Sequence, residues 1–332
     1  MELTTVWFLL IAVLWIGYFV LEGFDFGVGI LLRVLGRNEP ERRAVVTTIG
    51  PVWDGNEVWL ITAAGATFAA FPEWYASLFS GFYLPLLAIL FALIIRGVGL
   101  EFRGKRDDLE WRDRWDTVIA IGSLIPAFVW GLVFANQVRG VPLDADFEYV
   151  GSLAGQFNLY AVLGGVALTA LFVTHGAIFL ALRTTDDLRL RANRLAARTG
   201  VVTVLLVAGW LLWTFDLRGS TASGVVAGAA LVALLGGLAA NRAGREGWAF
   251  GGTAAAIGLA VASLFVAMWP AVLPSTVNPA WSLTVTNAAS TPYTLKILTV
   301  VGAIFTPLVL AYQGWTYWVF RKRVSVEPVA VA

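Results

Sequence analysis

The chain has 332 residues, of which 58% are hydrophobic and only 14% charged, and its mean hydropathy is +0.77. A soluble domain of this length carries about 25% charged residues and cannot hide so much apolar surface in one core, so the composition defines an all-α polytopic membrane protein. A net charge of +1 implies no acidic polymer such as nucleic acid as a partner, and the absence of cysteine excludes disulfides, thiolate metal sites and Cys-ligated iron–sulfur clusters.

A spanning helix needs about 20 mostly apolar residues. Nine runs qualify: residues 6–32, 45–71, 74–100, 115–138, 153–182, 199–215, 223–240, 248–269 and 292–320. The sixth and seventh are the shortest, separated by a turn at Asp216 and Arg218. The first run lacks the basic region and cleavage site of a removable signal and reads as a retained helix. Helices one to four and five to eight suggest two four-helix units with a peripheral ninth, although the halves share no evident sequence similarity. Residues 1–323 form one transmembrane domain, and 324–332 read as a short, unstructured cytoplasmic tail. Gly23, Gly27 and Gly29 follow no strand, so they are not a phosphate loop; small residues at that spacing let membrane helices approach.

Basic residues set the orientation. Arg33, Arg37, Arg42, Arg43, Arg103, Lys105, Arg106, Arg112, Arg114, Arg183, Arg189, Arg191, Arg194, Arg198, Arg242, Arg245, Arg321, Lys322 and Arg323 fall in alternate connections and at the C-terminal end, 19 of the 23 basic residues. The opposite loops hold only Arg139 and Arg218. The positive-inside rule places the N-terminus outside and the C-terminus in the cytoplasm. Of the external loops, 139–150 carries Asp144, Asp146 and Glu148, whereas 270–291 is uncharged and, with Trp281, is expected to lie against protein or headgroups. Trp7, Trp74, Trp213, Trp269, Trp315 and Trp318 near span ends suggest an aromatic belt. Lys296 reads as a snorkelling residue.

Charges inside the spans stand out, because one near the bilayer centre costs about 3 kcal/mol or more. Glu22 and Asp25 lie in the inner half of the first helix, and Arg96 near the inner end of the third. Asp54 and Glu57, inside Gly50-Pro51-Val52-Trp53-Asp54-Gly55-Asn56-Glu57-Val58-Trp59-Leu60, lie about 14 to 18 Å past Val45 and so near mid-membrane if that run is one helix. Arg96 can lock one carboxylate in a static pair that fixes helix register. It cannot neutralise four acids, so some carboxyls are held protonated, and a file of such groups open to one side suits a proton path from the cytoplasm. His175, the sole histidine, reads first as a hydrogen-bonded packing residue and can supply at most one strong haem ligand. Asn136, Gln137 and Asn158 are expected to cap or bridge helices near the outer ends.

The Asp54 run, together with Leu21-Glu22-Gly23-Phe24-Asp25-Phe26-Gly27, Ala69-Ala70-Phe71-Pro72, Ile95-Arg96-Gly97-Val98 and Glu101-Phe102-Arg103, resembles subunit II of cytochrome bd-type quinol oxidases. With the nine-helix pattern and the length, the likeness covers essentially the whole chain. It implies a multi-pass cell-membrane protein that binds no cofactor itself. It forms a heterodimer with a subunit I holding two b-type haems and one d-type haem, with small accessory subunits and membrane lipid as further partners. The complex would oxidise quinol at the outer face and reduce oxygen to water with cytoplasmic protons, separating charge without pumping. Carried over, Asp25, Asp54 and Arg96, with Glu22 and Glu57 beside them, line the proton path, and Trp59 borders an apolar path for oxygen. Two alternatives compete: a secondary transporter using the acid cluster as its ion site, and a purely structural partner of subunit I. No pair of broken helices in matching halves favours the transporter.

Overall fold

In a bilayer core, only a helix or a closed barrel satisfies every backbone N–H and C=O, and the apolar runs fold as helices. The computed structural model describes residues 2–326. Its helices, in chain order, are α1 (Leu3–Leu35), α2 (Glu39–Ile49), α3 (Trp53–Ala70), α4 (Pro72–Gly81), α5 (Tyr83–Phe102), α6 (Leu109–Arg139), α7 (Leu153–Gln156), α8 (Leu159–Arg183), α9 (Asp186–Arg218), α10 (Thr221–Arg242), α11 (Glu246–Met268) and α12 (Pro292–Val319). Eight helices among the described residues are long and apolar enough to cross a membrane: α1, α5, α6 and α8 to α12. α3 has 18 residues but opens on Asp54, Asn56 and Glu57, and its composition falls short.

Two expected spans are broken. The run 45–71 is α2 and α3, because Pro51 has no N–H to continue the ladder and Val52 leaves the helical region (φ −128°, ψ −24°). α2 starts earlier than expected, where Asn38 accepts a hydrogen bond from the Glu41 amide and Pro40 occupies the first turn. The run 74–100 divides at Phe82 into α4 and α5, and α4 opens on Pro72. α9 is much longer than its apolar stretch because its charged first half stays helical, with an Asp187–Arg191 pair one turn apart.

α1 packs against α3, α6, α8 and α11 and forms the centre of the bundle. It touches α8 at Gly27 and Gly176; a Cβ on Gly27 would lie 2.0 Å from the Phe172 carbonyl oxygen, so only glycine permits this approach. Trp15, Tyr18, Phe19, Trp130 and Phe134 form an aromatic cluster between α1 and α6, in which the Trp130 indole donates to the Tyr18 hydroxyl at 3.1 Å. Trp7 and Trp74 are buried rather than belt residues, and Trp7 donates to Leu295 O on α12. Trp269, Trp315 and Trp318 are exposed, as an interfacial belt requires. The uncharged loop 270–291 folds onto the bundle through a short antiparallel pairing of β1 (Ala271–Leu273) with β2 (Leu283–Thr284), tied down by Gln137 to Val272 O and by Ser290 N–H to Ala70 O. Asn136 and Asn158 join helix ends as expected, Asn158 donating to Asn136 Oδ1 and capping α8.

At the opposite end, the arginine-rich connections are knitted together by acids. Asp116, wholly buried in α6, accepts from Arg103 Nε at 2.5 Å and faces Arg42 at 3.4 Å, while Glu39 meets both Arg103 and Arg112. Burial alone would raise the Glu41 carboxyl, but hydrogen bonds from Arg191 and the Arg37 amide outweigh it and hold Glu41 below the usual carboxylate range. The segment after α12 is docked where a free tail was expected: Val324 N–H donates to Arg183 O at 2.7 Å and Val326 packs on the core. Residues 327–332 of the expected tail lie outside the described residues.

Removing one partner of a buried pair leaves an uncompensated charge, whereas an exposed pair contributes little. Asp116→Ala is therefore expected to cost about 3–5 kcal/mol of unfolding free energy, against less than about 1 kcal/mol for Glu110→Ala, which removes the exposed partner of Arg114. Denaturant unfolding of the purified protein in detergent compares the two.

Candidate functional site

Glu22 and Asp25 are one turn apart on the inward-facing side of α1, and both have no exposed surface. α5 brings Arg96, equally buried, to Glu22, with Nη1 to Oε1 at 3.0 Å, and the guanidinium also lies 5.0 Å from the Phe26 ring centroid. Gly122 of α6 makes room for this, since a Cβ there would sit 2.9 Å from Arg96 Cβ. Asp25 turns to α3 and accepts from Asn56 Nδ2 at 2.6 Å. Asn56 is wholly buried, and its oxygen in turn accepts from the Tyr317 hydroxyl at 2.7 Å and Gln313 Nε2 at 3.1 Å, both on α12. Gln313 Oε1 accepts from the Trp59 indole at 2.7 Å. Asn56 thus links α1, α3 and α12.

The other two acids are placed differently. Because the helix restarts after Pro51, Asp54 occupies the first turn of α3, not a mid-span position, and it is exposed. An acid there complements the positive end of the helix dipole. Glu57 is half-buried and within electrostatic reach of Arg96. Glu22, Asp25 and Arg96 are therefore brought together, whereas Asp54 lines a cavity of about 570 Å³ between α3 and α12, with Asn56, Trp59, Gln313 and Tyr317 among its polar lining and Val58, Phe305 and Leu310 among its apolar walls. Trp59 is seated against Gly17, where a Cβ would collide with its ring at 2.2 Å.

His175 is committed to packing: Nδ1 is 2.7 Å from Thr253 Oγ1, and the ring stacks on Phe250 with centroids 4.6 Å apart. Four polar atoms of the central cluster have no protein partner: Glu22 Oε2, Asp25 Oδ1, Arg96 Nε and Arg96 Nη2. A buried site with two carboxyls, one fixed guanidinium and spare hydrogen-bonding capacity can hold and exchange a proton; among the described residues no group of three or more His, Cys, Asp or Glu side chains is placed to hold a metal ion. Asn56, Tyr317, Gln313 and Asp116 are absent from the sequence-predicted site and charge network. For Asn56 the available signal was its place between Asp54 and Glu57.

Fold and site together define a multi-pass helical membrane protein with a buried polar centre. The family described as cytochrome bd terminal oxidase subunit II matches residues 3–320. The chain is 46% identical over 329 residues to the cytochrome bd ubiquinol oxidase subunit 2 of Bacillus subtilis (strain 168), covering 98% of this chain and 97% of that protein. It is 34% identical over 362 residues to the cytochrome bd-I ubiquinol oxidase subunit 2 of Escherichia coli (strain K12), covering 98% and 96%. The structure of bd oxidase from Geobacillus thermodenitrificans superposes with a TM-score of 0.78 over 96% of this chain and 99% of that one; at 16% identity this likeness speaks for the fold alone. The chain belongs to the cytochrome bd terminal oxidase subunit II family and is a subunit of a respiratory oxidoreductase complex.

The Glu22–Arg96 pair generates a stability prediction that separates holding a charge from holding a shape. Glu22→Ala is expected to cost about 3–5 kcal/mol by leaving Arg96 buried and unpaired, and Glu22→Met combined with Arg96→Met to recover most of that loss. Thermal unfolding of the two variants in one detergent checks the order.

Proposed function

We propose that this chain is the haem-free subunit II of a quinol:oxygen oxidoreductase. It supports a haem-bearing subunit I and supplies part of the cytoplasmic proton path and of the oxygen route. The observation that carries the reading is the buried Glu22, Asp25 and Arg96 cluster, which keeps four unpartnered polar atoms while Asn56 ties Asp25 to the cavity-lining residues Gln313 and Tyr317 of α12. Two carboxyls beside one guanidinium cannot both ionise cheaply, so the pair carries a proton that either oxygen set can hold. Arg96 keeps one negative charge in place, and Asn56 orients Asp25 without itself being a good relay, because an amide holds its protons. Water threading the spare donors and acceptors is the natural carrier between the carboxyls.

Nine crossings are the topology we favour, with α3 as the ninth. α3 runs from Asn56, bonded to Asp25, to Ala70, whose carbonyl accepts from Ser290 N–H in the loop before α12; these 14 residues rise about 21 Å. The helices α1, α3, α5 and α6 and the helices α8 to α11 make the two four-helix units, and α12 is peripheral, with Leu295 its buried residue. The N-terminus is outside and the arginine-rich end cytoplasmic.

The partner's place follows from polarity. α3 and α12 expose Val58, Ile61, Phe68, Phe305, Leu308 and Leu310, which lipid would tolerate, but Asp54 is exposed among them, and a carboxylate facing lipid is costly. Subunit I covers this face and receives protons from it through Asp54 and Glu57, and the apolar walls beside Trp59 admit oxygen. His175, held by Thr253 and Phe250, leaves the two b-type haems and the d-type haem to the partner. Quinol protons leave outside while those for oxygen reduction enter from the cytoplasm, so charge separates without pumping.

In the complex with subunit I, Asp25→Asn is expected to lower quinol oxidase turnover about 100-fold with the haem spectra retained. Near-normal turnover and charge separation would make Asp25 structural, and loss of the d-type spectrum would assign the site to assembly.

A further inference from the structure

A second cavity, of about 250 Å³, opens at the arginine-rich end between α2, α8, α11 and α12. Its walls are apolar, with Val52, Phe179, Leu182, Phe250 and Phe320, and two arginines line it, Arg183 and Arg321. No acidic side chain lines it. The other arginines nearby are paired: Arg189 and Arg323 with Glu246, and Arg191 with Glu41. Arg183 is half-buried, its Nε is buried with no partner, and among the described residues no carboxylate is within ion-pair distance of it. Its contact is the face of Phe179, 6.0 Å from the ring centroid.

The site is built rather than incidental. The chain leaving α12 doubles back over the end of α8, with Val324 N–H on Arg183 O at 2.7 Å and Arg323 Nη1 on Thr184 O at 3.0 Å. That docking keeps Arg321 at the border of the same cavity as Arg183, its guanidinium lying over the Trp318 ring and donating to Trp318 O. Two arginines bordering one apolar-walled recess that no acid lines call for an anion, and a recess at the level where the helices leave the bilayer is met first by headgroups.

We propose that this cavity binds the phosphodiester of an anionic phospholipid, with Arg183 and Arg321 on the phosphate oxygens and the glycerol and upper acyl carbons against Leu182, Phe250 and Phe320. The apolar lining favours a lipid over free phosphate, which would leave those walls uncovered. Tyr317 closes the inner wall and spends its hydroxyl on Asn56, so the headgroup sits one side chain from the partner of Asp25. The bound lipid thereby fastens the end of α12 and steadies the Asn56 junction.

The test uses the purified complex with its partner subunit, stripped of lipid in detergent and titrated separately with phosphatidylglycerol, phosphatidylcholine and inorganic phosphate. Retained lipid is counted by native mass spectrometry, and protection is followed by thermal unfolding. Phosphatidylglycerol is expected to bind and protect best, with Arg183→Gln/Arg321→Gln weakening it about 30-fold and Arg183→Lys having a smaller effect. Should the double variant fail to assemble, Arg321→Gln alone, at an exposed position, is expected to weaken binding about 5-fold. Equal retention of phosphatidylglycerol by wild type and variants overturns the site, and equal protection by inorganic phosphate overturns the lipid assignment.

Discussion

A guanidinium with no exposed surface dictates much of what surrounds it. Arg96 enters the bundle on α5 and is matched by Glu22 of α1 at 3.0 Å, and neither could be buried without the other. The pair fixes the register of α5 against α1, and the absence of a Cβ at Gly122 lets α6 close over it. Asp25, one turn further along α1, then has no cation left to meet and takes a neutral donor, Asn56. That single hydrogen bond sets where α3 starts on α1, and through Tyr317 and Gln313 it sets where α12 lies on both.

The break at Pro51 is the second constraint. An unbroken helix from Val45 would carry Asp54 and Glu57 to mid-span. With the chain interrupted, α2 lies among the arginine-rich connections, where Glu39 and Glu41 serve Arg103, Arg112 and Arg191, and α3 begins afresh with an acid in its first turn. One proline thus divides a stretch into a part that organises the surface and a part that meets the buried cluster.

The spans were legible because apolar length is what a bilayer selects, and Glu22, Asp25 and Arg96 were legible because a charge in such a run is too costly to persist without a partner or a task. Asn56 was not, since a neutral amide carries no charge to mark it out beside two carboxylates, although it is more deeply buried than either of them. Asp54 was recognised but misplaced, because averaging over a window smooths across the proline that ends α2. Asp116 lay just inside an expected span and among so many arginines that its burial could only be seen once α2 and the Arg103 turn were folded around it. Trp7 and Trp74 sit near helix ends in sequence, yet the first turns of α12 cover Trp7 through Leu295 and Thr299 and Trp74 is packed into the core, so position along a helix did not translate into exposure.

A chain can be well packed on one side and unfinished on the other, and α12 illustrates the difference. Its 28 residues bury one side chain fully, yet its polar residues are not scattered: Gln313 and Tyr317 both reach Asn56, and Tyr317 also walls the cavity shared by Arg183 and Arg321. A helix held by lipid alone would not need two hydrogen bonds to a buried amide. A helix that must keep its position while its other faces meet a partner subunit would need them, because its own apolar packing on α1 and α3 is slight. The polar hub and the docked turn after α12 therefore substitute for packing, and they do so at the two points where the helix passes the buried carboxyls and the arginine-rich end.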